Sequence, residues 1–189
     1  MTIGAAVRRQ RAGSLLPPSR RSLIVVAAAV AVLTAAAAIA LTVGGGGQPR
    51  VAVVDRGSGE GAGDLVYERV VESGERFVLE HTHSVTRRLV RETFSVLDGE
   101  TIALEELWFD EFGPNLPAGP EVFDHDVTWL HEDGAFRVLH HRHPIGVVPL
   151  RVGSATVDHT LTFADGERVR LLDIAPRGAW VDLIVRTGQ

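Results

Sequence analysis

From Arg50 to the C-terminus the sequence contains no long stretch of 3.6-residue period, and this constrains its fold more than any motif does. Short runs recur instead, alternating or β-branched: "RVAVVD", "DLVYERVV", "RFVLEHTHS", "LVRETFSVL", "TIALEELWFDEF", "HDVTWLH", "AFRVLHH", "VVPLRVG", "ATVDHTLTFA", "RVRLLDI" and "WVDLIVR". Turn signals divide them, with "SGE" at 73–75, "DGE" at 98–100, "EDGA" at 132–135 and "ADGE" at 164–167. Short strands joined by Asp-Gly turns specify an all-β domain, an antiparallel β-sandwich or a partly open barrel. The proline-rich "FGPNLPAGP" at 112–120 cannot extend a central strand and makes the one long irregular loop, where binding residues often gather.

The N-terminal part has a different character. Residues 1–22 form a basic tail, and Leu23 to Val43 is a run of 21 uncharged residues, "LIVVAAAVAVLTAAAAIALTV". At ~1.5 Å per residue such a run spans a ~30 Å hydrocarbon layer as one helix. Arg20 and Arg21 precede it, and no basic residue follows until Arg50. The positive-inside rule therefore puts the N-terminus in the cytoplasm and residues 50–189 outside, as a single-pass cell-membrane protein. The glycine-rich linker at 44–49 is too short to carry the domain far from the bilayer. "AIA" at 38–40 has the small-x-small form of a cleavage site and leaves export after cleavage open, as "SRRSLIV" at 19–25 leaves open a twin-arginine route.

Charge and composition exclude several functions. The chain has no cysteine, which removes disulfides, thiolate metal sites and cysteine nucleophiles. The net charge of -5 hides an asymmetry, because every acid lies beyond residue 43. Such an acidic domain offers no basic patch for a nucleic-acid backbone. Serine hydrolysis is not encoded either: His83 and Ser84 are neighbours on an extended strand and point to opposite faces, and no G-x-S-x-G elbow occurs.

Histidines and acids supply the remaining chemistry. In the strand at 76–84, Phe77, Leu79, His81 and His83 share one face, and in the next strand Val90, Glu92, Phe94 and Val96 share another. A hairpin turning at Arg87 and Arg88 sets His83 opposite Glu92, and a two-residue turn at Asp98-Gly99 sets Glu92 opposite Glu105. A bulge at Gly99 would turn Glu105 away. The alignment yields a candidate zinc or manganese site of His81, His83, Glu92 and Glu105, since imidazole and carboxylate suit those ions. The alternative is a half-buried His83 bonded to Glu92 for structural reasons, with no metal.

The pieces "HSV" (83–85), "VRETF" (90–94), "WFDEFGPNLP" (108–117), "LRVG" (150–153) and "DHTL" (158–161), in this order, resemble the bacterial family called domain of unknown function 1850. The resemblance covers roughly residues 50–187. It implies a small exported protein, often encoded beside TAXI-type TRAP transporters, which import organic anions and amino acids with an extracytoplasmic binding protein. It carries no established activity. The family's loop usually reads Phe-Gly-Ala-Gly-Leu-Pro, whereas Pro114 and Asn115 stand here in place of Ala-Gly. The candidate binding residues are His83, Ser84, Glu92, Phe112, Gly113, Asn115, Leu116, Pro117, Arg151 and His159, with Gly153 also matching. The expectation is a non-enzymatic, cofactor-free accessory of a TRAP-type uptake system, partnered by its membrane subunit or binding protein. The alternatives are a His/Glu metal-binding or metalloenzyme domain, and a small-ligand binding domain.

Overall fold

β-Branched and aromatic residues at alternate positions favour extended backbone, because their side chains pack on one side of a pleated surface while polar neighbours face water. The computed structural model describes residues 47–57 and 63–188, and the runs read from the sequence become strands there. The expected cytoplasmic tail, the membrane segment at 23–43 and residues 44–46 of the linker lie outside the described residues. Among the described residues, no helix is long and apolar enough to cross a membrane.

In chain order the strands are β1 (Pro49–Asp55), β2 (Asp64–Val70), β3 (Arg76–Thr82), β4 (Leu89–Leu97), β5 (Thr101–Phe109), β6 (Thr128–Glu132), β7 (Ala135–Gly146), β8 (Val148–Arg151), β9 (Thr160–Phe163), β10 (Arg168–Arg170) and β11 (Trp180–Thr187). They form two antiparallel sheets, of order β2-β1-β11-β8 and β10-β9-β3-β4-β5-β7-β6. At two of the three Asp-Gly turns both residues take positive φ, 52° and 74° at Asp98-Gly99 and 52° and 77° at Asp133-Gly134, the backbone hand that matches strand twist.

The two sheets enclose one apolar layer, which makes the domain a β-sandwich. Val51 and Val53 on β1 and Val181 and Leu183 on β11 meet Phe77 and Leu79 on β3, Phe94 and Val96 on β4, and Leu161 and Phe163 on β9. Each such side chain stabilises by about 1.5–3 kcal/mol when fully buried. A second, smaller cluster of Val90, Phe109 and Val138 lies at the other end of the large sheet, where Leu116 and Phe123 of the 110–127 loop cover it.

Two segments depart from the sequence reading. "RVRLLDI" remains a strand only to Arg170, after which Leu171–Ile174 form a single helical turn, α1. Leu171 is fully buried there, its amide donating to the His159 carbonyl at 2.9 Å. "ATVDHTLTFA" starts as a turn, closed by the Asp158 amide on the Ser154 carbonyl at 2.9 Å, and becomes strand at Thr160.

The third departure is one of register. β3 and β4 pair Leu79 with Glu92 and His81 with Val90, so their alignment has slipped by four residues from a turn at Arg87-Arg88. The connection takes up all of His83–Arg88, closed by the His83 amide on the Arg88 carbonyl at 2.7 Å and the Arg87 amide on the His83 carbonyl at 3.0 Å. Arg87 sits at φ 63°, ending this single coil. A slip of four preserves which face each residue occupies, because the side-chain period is two.

Candidate functional site

His83 belongs to the wall of the site. Its Nδ1 accepts from the amides of Val85 (3.3 Å) and Thr86 (3.2 Å), which fixes the proton on Nε2. Nε2–H then donates to the Pro114 carbonyl at 2.9 Å. The ring is only 7 % exposed and fastens the 83–88 turn to the proline loop. Both nitrogens are thereby engaged, so His83 has no lone pair for a metal, which corrects its place in the expected ligand set.

The loop meets it with a turn of its own. The Leu116 amide donates to the Gly113 carbonyl at 3.1 Å, with Pro114 second in the turn and Asn115 third at φ 67°. This is a type II turn, where asparagine supplies the left-handed residue usually provided by glycine. A Cβ on Gly113 would lie 2.8 Å from His83 Cε1 and 2.9 Å from Thr86 Cγ2, so a larger residue forces one of these side chains to shift. Gly153 is constrained in the same way, its Cβ falling 2.7 Å from Val157. The amide of Gly153 donates to His159 Nδ1 at 3.2 Å, which leaves the His159 proton on Nε2.

These two turns flank a cavity of about 720 Å³. The Thr82 amide donates to the Val157 carbonyl at 2.7 Å, and Arg87 Nη1 donates to Thr156 Oγ1 at 3.2 Å, joining one turn to the other. Val90, Leu107, Leu116 and Val157 supply apolar walls, and Ser84, Asn115 and Arg151 stand among its polar groups.

Glu92 is the unusual residue. The ladders align Leu161, Leu79, Glu92, Leu107, Val138 and Trp129 across six strands, so one carboxyl stands in a row of apolar side chains. Enclosed by that row and open only to the cavity, it has no hydrogen-bond or ion-pair partner among the described residues. Burial pushes its pKa up to about 7. Near neutral pH the carboxyl is therefore divided between a form that only accepts hydrogen bonds and one that also donates.

His81 is its diagonal neighbour across β3 and β4, and its ring lies 5.0 Å from that of His159. Burial, reinforced by the His159 and His83 rings, lowers the His81 pKa to about 4, and burial likewise lowers that of His159. Both rings are thus neutral at pH 7. His81 Nδ1 is buried without a partner among the described residues. Arg151 is exposed, its Nε donating to the Gly178 carbonyl at 3.2 Å, and no carboxylate among the described residues pairs with it. An unpaired cation, a partnerless carboxyl and two neutral imidazoles thus share one cavity with apolar walls.

The structure gathers His81, His83, Ser84, Glu92, Asn115, Leu116, Arg151, Gly153 and His159 around this space. Phe112 packs instead on Phe136, with ring centroids 4.4 Å apart, and Pro117 lies beyond the lining residues. Glu105 is not brought in at all. The 98–100 turn sets Leu97 opposite Thr101, one residue beyond a two-residue turn, and an irregularity between Thr93 and Phe94 adds one more, so Leu107, not Glu105, stands beside Glu92. Glu105 lines a different hollow with Thr93 and Glu106, paired with Arg76 at 3.3 Å and Arg142 at 3.8 Å. The expected quartet of His81, His83, Glu92 and Glu105 is therefore not assembled. Sequence reasoning missed Leu107 and Val157 as walls, because only the ladder register and the 154–158 turn carry them to the cavity.

The family model described as a domain of unknown function, DUF1850, matches residues 77–171, a span that holds every cavity residue named above. No curated protein and no solved structure matches the chain.

Proposed function

Because the chain belongs to the DUF1850 family, whose description assigns no activity, we propose its function from the cavity: a non-enzymatic binding domain for a small organic anion. The observation that carries this reading is Glu92, a carboxyl with no partner among the described residues, lining a cavity that also presents His81, His159 and Arg151, which no described carboxylate pairs. Ligand sites commonly measure ~300–1,000 Å³, mostly apolar with a few placed polar groups. The cavity falls in that range at about 720 Å³. Arg151 would take the ligand's carboxylate, and Glu92 and the imidazoles would hydrogen-bond a hydroxyl, amino or keto group, while Leu107 and Val157 pack its carbon skeleton.

We further propose that the domain works outside the cell, tethered through residues 23–43, as an accessory of a TRAP-type uptake system that touches its membrane subunit or binding protein. The uncharged run and the arginines before it support the tether. Solutes of that transporter class match the chemistry of the cavity. The direct test is calorimetric titration of the protein with a panel of small hydroxy, keto and amino acids. Saturable binding of one equivalent, weakened in Arg151→Gln, supports the reading; a panel without heat or thermal stabilisation overturns it.

A further inference from the structure

β7 does not run evenly past β5. The ladder pairs Leu139 with Glu106 and His143 with Leu104, so His140, His141 and Arg142 stand opposite the single residue Glu105. His141 and Arg142 both take left-handed backbone, at φ 53° and 60°. In an unbroken strand residues 140 and 143 would face opposite sides; the bulge turns both to the same neighbour. That neighbour is His125, whose ring lies 5.2 Å from His140 and stacks on His143 at 3.6 Å with an interplanar angle of 5°. Two consecutive non-glycine residues in this conformation are strained, and such strain persists where a site requires it.

Asp124 completes the group, its Oδ1 3.1 Å from His125 Nδ1. One ligand atom from each of Asp124, His125 and His143 lies within 4.8 Å of the others. Ligands sharing one tetrahedral zinc ion are ~3.3 Å apart with lone pairs that converge, so the His143 ring, now parallel to that of His125, has to rotate out of the stack to reach the same ion. His125 Nε2 lies 2.9 Å from His140 Nδ1, and His140 is 2 % exposed with its Nε2 buried and without a partner among the described residues.

Proton placement along this chain is unfavourable in either direction without a cation. If His125 donates from Nδ1 to Asp124, His140 must donate from Nδ1 to His125, and the buried His140 Nε2 lone pair has no donor. If His125 donates from Nε2 to His140, its Nδ1 lone pair faces the Asp124 carboxylate, and the buried His140 Nε2–H has no acceptor among the described residues. A bound cation converts that second arrangement into a coordinated one, with His140 holding the tautomer from behind as outer-shell groups do at metal sites. We propose that Asp124, His125 and His143 bind a divalent transition-metal ion of the zinc class, His125 through Nδ1, with His140 as the positioning residue. Two imidazoles and a carboxylate suit such an ion and leave a coordination position for water. The site is separate from the cavity: Phe123 of the second apolar cluster packs against His125 and His140.

The test is calorimetric titration of zinc into the full-length protein, purified in detergent without a polyhistidine tag and stripped with chelator. One equivalent binds, and Asp124→Asn and His143→Gln each weaken binding about a hundredfold, while His140→Gln costs about tenfold. His131→Gln, whose ring stacks on Phe136 instead, leaves it unchanged. The side chain of Asp124 is 97 % exposed, so its replacement leaves the fold intact. Absence of saturable zinc binding, or an affinity unchanged in folded Asp124→Asn and His143→Gln, overturns the proposal. Neither result depends on whether the cavity binds an organic anion.

Discussion

Replacing Glu92 by glutamine keeps the size of the side chain and removes its charge, which makes pH the informative variable. In the unfolded chain Glu92 titrates at its ordinary value of 4.5, and in the fold at about 7. Between these values the folded state holds a proton that the unfolded state has lost. Stability is therefore full below pH 4.5, falls as pH rises through the window, and levels off above the folded value. At about 1.4 kcal/mol per unit, the charged form costs the fold roughly 3 kcal/mol at alkaline pH, and somewhat less where cavity water screens it. His81 and His159 act with the opposite sign, since their lowered pKa values remove stability as pH falls below 6.5. Subtracting wild type from Glu92→Gln cancels that contribution. Urea melts of a soluble chain beginning at Gln48 should show a difference near zero at pH 4.5, rising to about 2–3 kcal/mol in favour of the variant by about pH 8. A difference that stays flat across this window would refute the assignment of Glu92 as a partnerless buried carboxyl.

The clasp between turn and loop gives further outcomes. His83→Ala strands two amides and the Pro114 carbonyl and should cost about 2–4 kcal/mol in urea melts. Gly113→Ala, with its Cβ 2.8 Å from His83, should cost about 1–3 kcal/mol and lower the same midpoint. Asn115→Ala should cost about 1 kcal/mol, because Asn115 holds φ 67°, and Asn115→Gly should not. In titrations with whichever small acid binds, Arg151→Gln should weaken affinity at least about tenfold without shifting the melting midpoint, the value of one charged hydrogen bond. Glu105→Gln, on the far side of β5, should leave that affinity unchanged.

Local sequence determined what depends on neighbours along the chain. Alternation marked the strands from "RVAVVD" to "WVDLIVR", and Asp-Gly placed the tight turns, because side-chain period and left-handed turn residues act over two to eight positions. It also put His81, Glu92 and Phe94 on their correct faces. The partners across strands were another matter. The imidazole of His83 captures two amides of its own turn, lengthening it to six residues, so Glu92 faces Leu79 and not His83. No periodicity in the sequence reports that a side chain will act as a turn acceptor.

The same limit explains the two sites. Glu92 acquires its raised pKa from Leu79 and Leu107, which reach it only through inter-strand register, and Arg151 approaches the cavity from the other sheet. Asp124 and His125 lie far from His143 along the chain; the bulge at His140–Arg142 turns two histidines of β7 toward His125. Sequence by itself thus determined most of the strands, the Asp-Gly turns, the strand faces and the family. Only the tertiary structure decided which faces met, because register and bulges are set by packing between segments that can lie more than a hundred residues apart.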